Sequence, residues 1–358
     1  MKKYTSVLLL LALSLSCIWG CIPNQPRVAD YEKNFEALWR IINERYCFLD
    51  EKEVDWDQVH TEYSKRIKSE KLDDLTFFNT MAEMLEKLKD GHVNLITPFN
   101  TSRYSPWEKQ DPTEGLNIYA RRKTLGTKLF ISGGMAYHIF QSKSEQLKFG
   151  YIMYGSFTSS LGNMPLILSL FKNNSVDGII LDLRANGGGS LQNTTKLLSY
   201  FFGEKTLVGY TSHKVGPGRN QFSELRALYV EPDKTITWVD KPVIILQDKG
   251  CYSATNDFLY KIACAPNVTR VGIRSGGGAG LPATQELPNG WRIRYSAVKN
   301  YDRDRKYVEA GVEPDVHVQN QGYSIDPGAS DLILQKGIKV LKERVKEQNK
   351  TTNNSNGK

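Results

Sequence analysis

The chain has 358 residues, 24% of them charged, and its 47 Lys and Arg against 39 Asp and Glu leave a net charge of +8. The basic residues are dispersed, and part of the excess falls near the start and in the last helical stretch (Lys336, Lys339, Lys342, Arg344, Lys346), not in a compact stripe with interleaved aromatics. That excludes a nucleic-acid partner and leaves solubility and contact with an envelope surface as the use of the charge. Cys47, Cys251 and Cys264 are an odd set without CxxC spacing, which excludes a disulfide framework and a zinc site. No metal or cofactor is expected.

Residues 1–21 read as an export signal: Lys2 and Lys3, an apolar run from Val7 to Leu15, then small residues. The run is shorter than the roughly 20 apolar residues that span a bilayer. Ile18-Trp19-Gly20-Cys21 resembles the bacterial lipobox, with Cys21 as the acylated residue in preference to Cys17. The expected location is therefore the bacterial cell envelope, periplasm or outer membrane, with a lipid anchor as the membrane contact. The rest exceeds one average domain and predicts a large domain with a smaller one beside it.

Residues 28–97 predict a small helical domain. Phe35, Leu38, Trp39, Ile42 and Tyr46 share one helical face, as do Phe77, Met81, Met84 or Leu85, and Leu88, and Gly91 is expected to close the second helix at positive φ. Residues 98–148 have a weaker pattern and read as a β-rich connecting segment. From 149 to 347 strands alternate with helices: YIMYGSF, a helix over Leu161 to Phe171, GIILDLR, a helix over Ser190 to Phe202, PVIILQD, a helix from Ser253 to about Ala263, and RVGIR. Alternation of this kind predicts an α/β domain with a largely parallel sheet and ligand sites at the carboxyl ends of its strands. The polar stretch 348–358 predicts a disordered tail.

Two loops lie at such strand ends. In LDLRANGGGS three glycines between a buried strand and a helix expose backbone N–H groups suited to an anion or a developing oxyanion, or form only a tight turn. The loop lacks the Gly-Lys-Ser/Thr of a P-loop and the GxGxxG of a dinucleotide site. In QDKGCYSATNDF, Ser253 heads a helix. As a helix cap it would contribute roughly 0.5–2 kcal/mol; as a nucleophile it would stand at the same place because the next amide, Ala254 N–H, can help hold an oxyanion. The residues of this loop leave both roles open.

DLRANGGGS resembles the DLRxNxGG signature of the S41 peptidases, the family of the C-terminal processing proteases and the tricorn core protease. CYSATNDF resembles that family's nucleophile turn, LKDGHVNL the motif closing its helical N-terminal domain, and VEAGVEPDVHV its closing strand. The resemblance runs from about Asn34 to Val318. It implies a ClpP/crotonase-like α/β peptidase domain, a peptide or protein substrate, and Ser253 as nucleophile. Where processing proteases carry a lysine base, this chain has Gly277, Gly278 and Ala279, so the tricorn-like branch is implied instead. There His92 is the general base and Glu309 the acid that orients it, with Asp304 as the fallback, and the backbone N–H groups of Gly188 and Ala254 form the oxyanion hole. A serine hydroxyl needs such a base at neutral pH. Asp182 and Arg184 read as a structural pair and Asp315 as a turn former. No PDZ-like segment is recognised between the domains. The rival readings are a catalytically inactive envelope protein of the same fold binding peptides or apolar ligands, and a crotonase-like acyl-CoA enzyme, which export disfavours. Oligomeric state is not readable from the residues.

Overall fold

A computed structural model of the protein describes residues 30–69, 71–104, 118–126, 128–142, 146–320 and 328–356. The export signal and Cys21 lie outside the described residues. Three helices come first, α1 (Tyr31–Arg45), α2 (Trp56–Ser69) and α3 (Asp74–Glu86). Asp30 and Asp73 cap α1 and α3 by accepting from Lys33 N–H and Thr76 N–H, which satisfies amides the first helical turn leaves open. Phe35, Leu38 and Ile42 are buried along one face, as their spacing requires. Their core includes Trp56, Tyr63 and Met81 and, from far along the chain, Leu287, Trp291, Ile293 and Tyr295. The N-terminal helices thus share their core with a distant hairpin.

The remaining elements in order are β1 (Asn94–Ile96), α4 (Ile118–Leu125), β2 (Phe130–Ser132), β3 (Met135–Gln141), β4 (Lys148–Tyr154), α5 (Met164–Asn173), β5 (Gly178–Asp182), α6 (Leu191–Ser199), β6 (Thr206–His213), β7 (Arg226–Val230), β8 (Val243–Gln247), α7 (Ala254–Ile262), β9 (Val268–Gly272), β10 (Leu281–Glu286), β11 (Arg292–Asp302), β12 (Val316–His317) and α8 (Leu332–Asn356). The larger sheet runs β12-β9-β8-β5-β4-β3-β2. Its first five strands are parallel and its last two antiparallel. β5 and β8 are buried throughout, which is why they read as continuous apolar runs. Ile179, Leu181, Val243 and Ile245 face a core with Leu168 of α5, Leu197 of α6 and Phe258 of α7, while Ile180, Ile244 and Leu246 face Leu334 and Leu341 of α8. The second sheet is built on β11, which pairs with β10, β1 and β6, with β7 beyond β6.

Three expectations change. The segment 98–148 carries helix α4, and β2 and β3 are the antiparallel edge of the main sheet, because a hairpin pairs Met135 with Tyr154 through to Gln141 with Lys148. Gly91 is not at positive φ; Lys89 turns the chain there at φ 47°. Glycine at 91 answers a close approach instead, since a Cβ there would lie 2.9 Å from Tyr252 Oη. The tail expected to be disordered from 348 continues α8 to Asn356, with no Gly or Pro between Gln348 and Asn356 to stop it.

Asp182 and Arg184 are structural, as read, and have a third member. Arg184 donates to Asp182 at 2.6 and 2.9 Å and to Asp331 at 2.6 and 2.9 Å, with the side chains fully buried. Asp331 also accepts from Leu334 N–H at 3.0 Å, so the same carboxylate caps α8. Removing one member leaves an uncompensated buried charge. Asp331→Ala is expected to lower stability by about 3–5 kcal/mol in urea unfolding, with the midpoint falling and the slope unchanged.

Candidate active site

The loops after β5 and β8 lie side by side at the carboxyl ends of adjacent parallel strands. Asn186, fully buried, ties them together: its carbonyl accepts from Tyr252 N–H at 3.1 Å, its Oδ1 accepts from Thr255 Oγ1 at 2.8 Å, and its Nδ2 donates to Tyr154 O at 2.8 Å. Asp248 adds a second tie by accepting from Ala185 N–H at 2.9 Å. Burial raises the Asp248 carboxyl to about 6 against that contact.

Ser253 sits at φ 55° and ψ −118°, a conformation that costs a residue with a Cβ about 1–3 kcal/mol. Its N–H donates to Gly277 O at 2.9 Å, and its carbonyl accepts from Asp257 N–H at 2.9 Å. Although it precedes α7, its side chain makes no capping bond. Oγ instead lies 2.9 Å from His92 Nε2, across 161 positions of sequence. The contact is within hydrogen-bond reach for proton transfer.

His92 is delivered by the turn between α3 and β1. Asp90 shapes that turn: its Oδ1 accepts from His92 N–H at 2.7 Å, and its Oδ2 accepts from Tyr46 Oη and Ser296 Oγ, each at 3.0 Å. Arg294 donates to Asn94 Oδ1 at 3.0 Å and to His92 O at 3.4 Å. The imidazole is pushed down to about 4, first by burial, against which the Asp90 charge pulls it up. It is therefore a neutral base at pH 7. Among the described residues Nδ1 has no hydrogen-bond partner of full geometry, although the Gly280 backbone also pulls the imidazole up.

Glu309 does not orient His92 in this structure. Its Oε2 accepts from Ala279 N–H at 2.7 Å and Gly280 N–H at 3.2 Å, and its Oε1 is 3.6 Å from Lys52 Nζ. The carboxylate is thus engaged by the glycine-rich 277–280 loop, whose Gly277 carbonyl receives Ser253 N–H. Burial and then the Asp90 charge push Glu309 up to about 8, while Lys52 and the two amides pull it down. Asp304 is exposed, its N–H bonded to Asp302, and it does not touch the imidazole either.

Of the two expected oxyanion donors, Ala254 N–H makes no hydrogen bond among the described residues. Gly188 N–H donates to Asn186 Oδ1 at 3.0 Å and is engaged. Gly188, at φ 100°, is needed for proximity: a Cβ there would fall 2.8 Å from Ala254 N and 2.9 Å from Ser253 Cβ. Asp315 accepts from Arg270 N–H and guanidinium at 2.7–3.1 Å, an ion pair beyond a turn role. The sequence reading missed Asp90, Lys52 and Asn186. Asp90, two residues before His92, was within reach of a local argument. Lys52 carried no such signal. Among the described residues no group of His, Cys, Asp or Glu could hold a metal ion.

A half-buried serine aligned on a buried histidine from a second packed module, with an open amide at the helix start, is the arrangement of a serine hydrolase. The comparisons place it further. The model for peptidase family S41 matches residues 148–318, and that for the tricorn protease C1 domain matches residues 27–86. A candidate peptidase of Parabacteroides merdae, of known structure, is 38% identical, with 87% of this chain and 96% of that chain covered and a TM-score of 0.78. The carboxy-terminal processing protease CtpA of Bacillus subtilis is 21% identical over 57% of this chain, and a CtpA-like serine protease of Staphylococcus aureus (strain N315) is 26% identical over 40%. The chain spans 45% and 28% of the length of those two relatives. The protein belongs to peptidase family S41.

The buried imidazole has consequences for pH. Unfolded His92 takes up a proton near 6.5 and folded His92 only near 4. Its contribution to stability is thus complete above pH 6.5 and declines as pH falls from 6.5 toward 4. The rate at which a fluorophosphonate labels Ser253 should accordingly hold from pH 7 to 5 and drop only toward pH 4, which stopped-time mass spectrometry would measure. Asn at position 90 keeps an acceptor for His92 N–H but removes the charge. Asp90→Asn should slow labelling about tenfold and move the acid limb to lower pH with the fold intact by circular dichroism.

Proposed function

We propose that the protein is an exported, lipid-anchored serine endopeptidase of the cell envelope. Export and acylation at Cys21 rest on the leader and its lipobox-like residues. The catalytic reading rests above all on the 2.9 Å contact between Ser253 Oγ and His92 Nε2, made by a serine that does not cap its helix.

In this reading His92 Nε2 takes the Oγ proton as Oγ bonds to the scissile carbonyl carbon. The carbonyl oxygen becomes an oxyanion beside Ala254 N–H at the positive end of α7, where preorganised donors act most strongly. The intermediate collapses to an ester on Ser253, and the departing amine leaves with the proton from His92. Water, deprotonated by the same imidazole, then hydrolyses the ester and restores Ser253. Asp90 holds the His92 backbone and stabilises the imidazolium while it exists. Glu309 keeps the 277–280 loop against the nucleophile turn, with Lys52 Nζ 3.6 Å from its Oε1. Gly188 lets the glycine loop approach the reacting carbonyl; its own N–H becomes a second donor only if Asn186 releases it. A ligand-binding protein without catalysis is disfavoured, because it has no use for a strained serine aligned on a neutral, buried histidine.

Intact-mass analysis of the purified full chain after fluorophosphonate treatment tests this. One adduct is expected on wild type and none on Ser253→Ala, with labelling of His92→Ala slowed by a factor of roughly 10² or more. A well-folded wild type that takes no adduct would rule the reading out.

A further inference from the structure

We infer that Tyr252 is a positioning residue for the serine–histidine pair: its ring reaches from the nucleophile turn to the turn of His92 and packs against the imidazole. The turn that presents the nucleophile thereby also holds the base. The inference rests on the serine-peptidase reading above and adds a residue to it.

The backbone of Tyr252 is fixed within the α/β domain. Its N–H donates to Asn186 O at 3.1 Å, its carbonyl accepts from Thr255 N–H at 3.0 Å, and it forms a parallel bridge with Gly277. Its side chain meets the other module. The ring centroid lies 5.1 Å from that of His92 at an interplanar angle of 53°, inside the range of about 4.5–7 Å over which such rings attract. The tip of the ring lies at Gly91, one residue before His92, where a Cβ would fall 2.9 Å from Oη and 3.3 Å from Cζ. Gly278 crowds the same tip, since a Cβ there would lie 2.3 Å from Cζ and 2.8 Å from Oη. Two glycines from separate segments thus make room for one phenol, and the phenol cannot shift without displacing one of them.

Tyr252 does not itself move a proton. Burial, then the charges of Asp90 and Glu309, hold its hydroxyl well above the ordinary phenol range, so it stays neutral, while a contact with the Gly91 backbone pulls the other way. What the ring supplies is place and cover. The other contacts on the His92 turn, from Tyr46, Ser296 and Arg294, come from the helical module and the hairpin that completes its core. The hydrogen bond from Ser253 Oγ crosses to the nucleophile turn, but it is lost whenever Oγ carries the acyl group. The ring contact does not depend on Oγ. It therefore keeps the imidazole in place for the water step, when the proton must be taken a second time.

The test reads the rate constant of fluorophosphonate labelling in the purified full chain, which does not depend on the folded fraction. Gly91 is not at positive φ, so alanine there disturbs only the space around it. Gly91→Ala should slow labelling about tenfold in the wild-type background but at most about threefold beside Tyr252→Phe, which removes the crowded oxygen. Tyr252→Ala should slow it by about 10², the cost of a base displaced by roughly 1 Å. Its acid limb should also rise from about pH 4 toward 6.5, because water reaches the imidazole while Asp90, Arg294 and Lys52 stay in place. Equal slowing by Gly91→Ala in both backgrounds would overturn the assignment. So would a Tyr252→Ala variant, folded by circular dichroism, that keeps the wild-type rate or the wild-type limb; if that variant does not fold, the Gly91→Ala pair decides. Wild type that labels while these variants fail the expectation loses the role of Tyr252 alone, whereas wild type that takes no label loses the serine mechanism with it.

Discussion

The turn at Ser253 holds a residue with a Cβ at positive φ, and the site is arranged around that constraint. An ordinary cap residue has extended geometry and turns its oxygen back onto the helix amides, as Ser190 does for α6. At φ 55° the Ser253 side chain is directed away from α7, which leaves Ala254 N–H open and puts Oγ against His92. Such a conformation persists only where its surroundings over-determine it. Here they do: Asn186 takes Tyr252 N–H, Gly277 takes Ser253 N–H, and Cys251 O accepts from Gly276 N–H. Three loops from separate parts of the chain therefore fix one hydroxyl.

Burial sets the electrostatics. His92, Asp90 and Glu309 lie where the α1–α3 helices meet the β10–β11 hairpin, and burial is the first cause of the shift at both His92 and Glu309. It keeps the imidazole neutral, which a general base requires, and strengthens the effect of each neighbouring charge. Asp90 opposes that burial at His92, while Lys52 and Arg294 act with it. In the proposed mechanism the charge nearest the imidazole is Asp90, whereas Glu309 is bonded to two backbone amides of the loop.

The helical segment is also less independent than its place at the start of the chain suggests. Its core is completed by Trp291, Ile293 and Tyr295 of the second sheet, and β1 adds to that sheet through pairs such as Leu95 with Ile293. This shared core carries His92 to Ser253. Damage to the hairpin would move His92 away from Ser253, although among the described residues none of those side chains bonds to either.

Local chemistry determined much of this protein from the sequence alone. Continuous apolar runs marked β5 and β8 because both their faces are covered, Ser190 marked the start of α6, and the glycine run after DLRAN together with the CYSAT turn marked the two loops that meet. The motif residues His92 and Ser253 were legible one at a time. Tertiary structure decided what no local pattern encodes: that Ser253 is turned away from its helix, that His92 reaches it at 2.9 Å, that Glu309 binds loop amides while Asp90 acts on the histidine, and that Gly188 N–H is engaged by Asn186. Side-chain direction and desolvation arise only when distant segments pack, and a buried carboxylate goes to whichever donors that packing brings nearest.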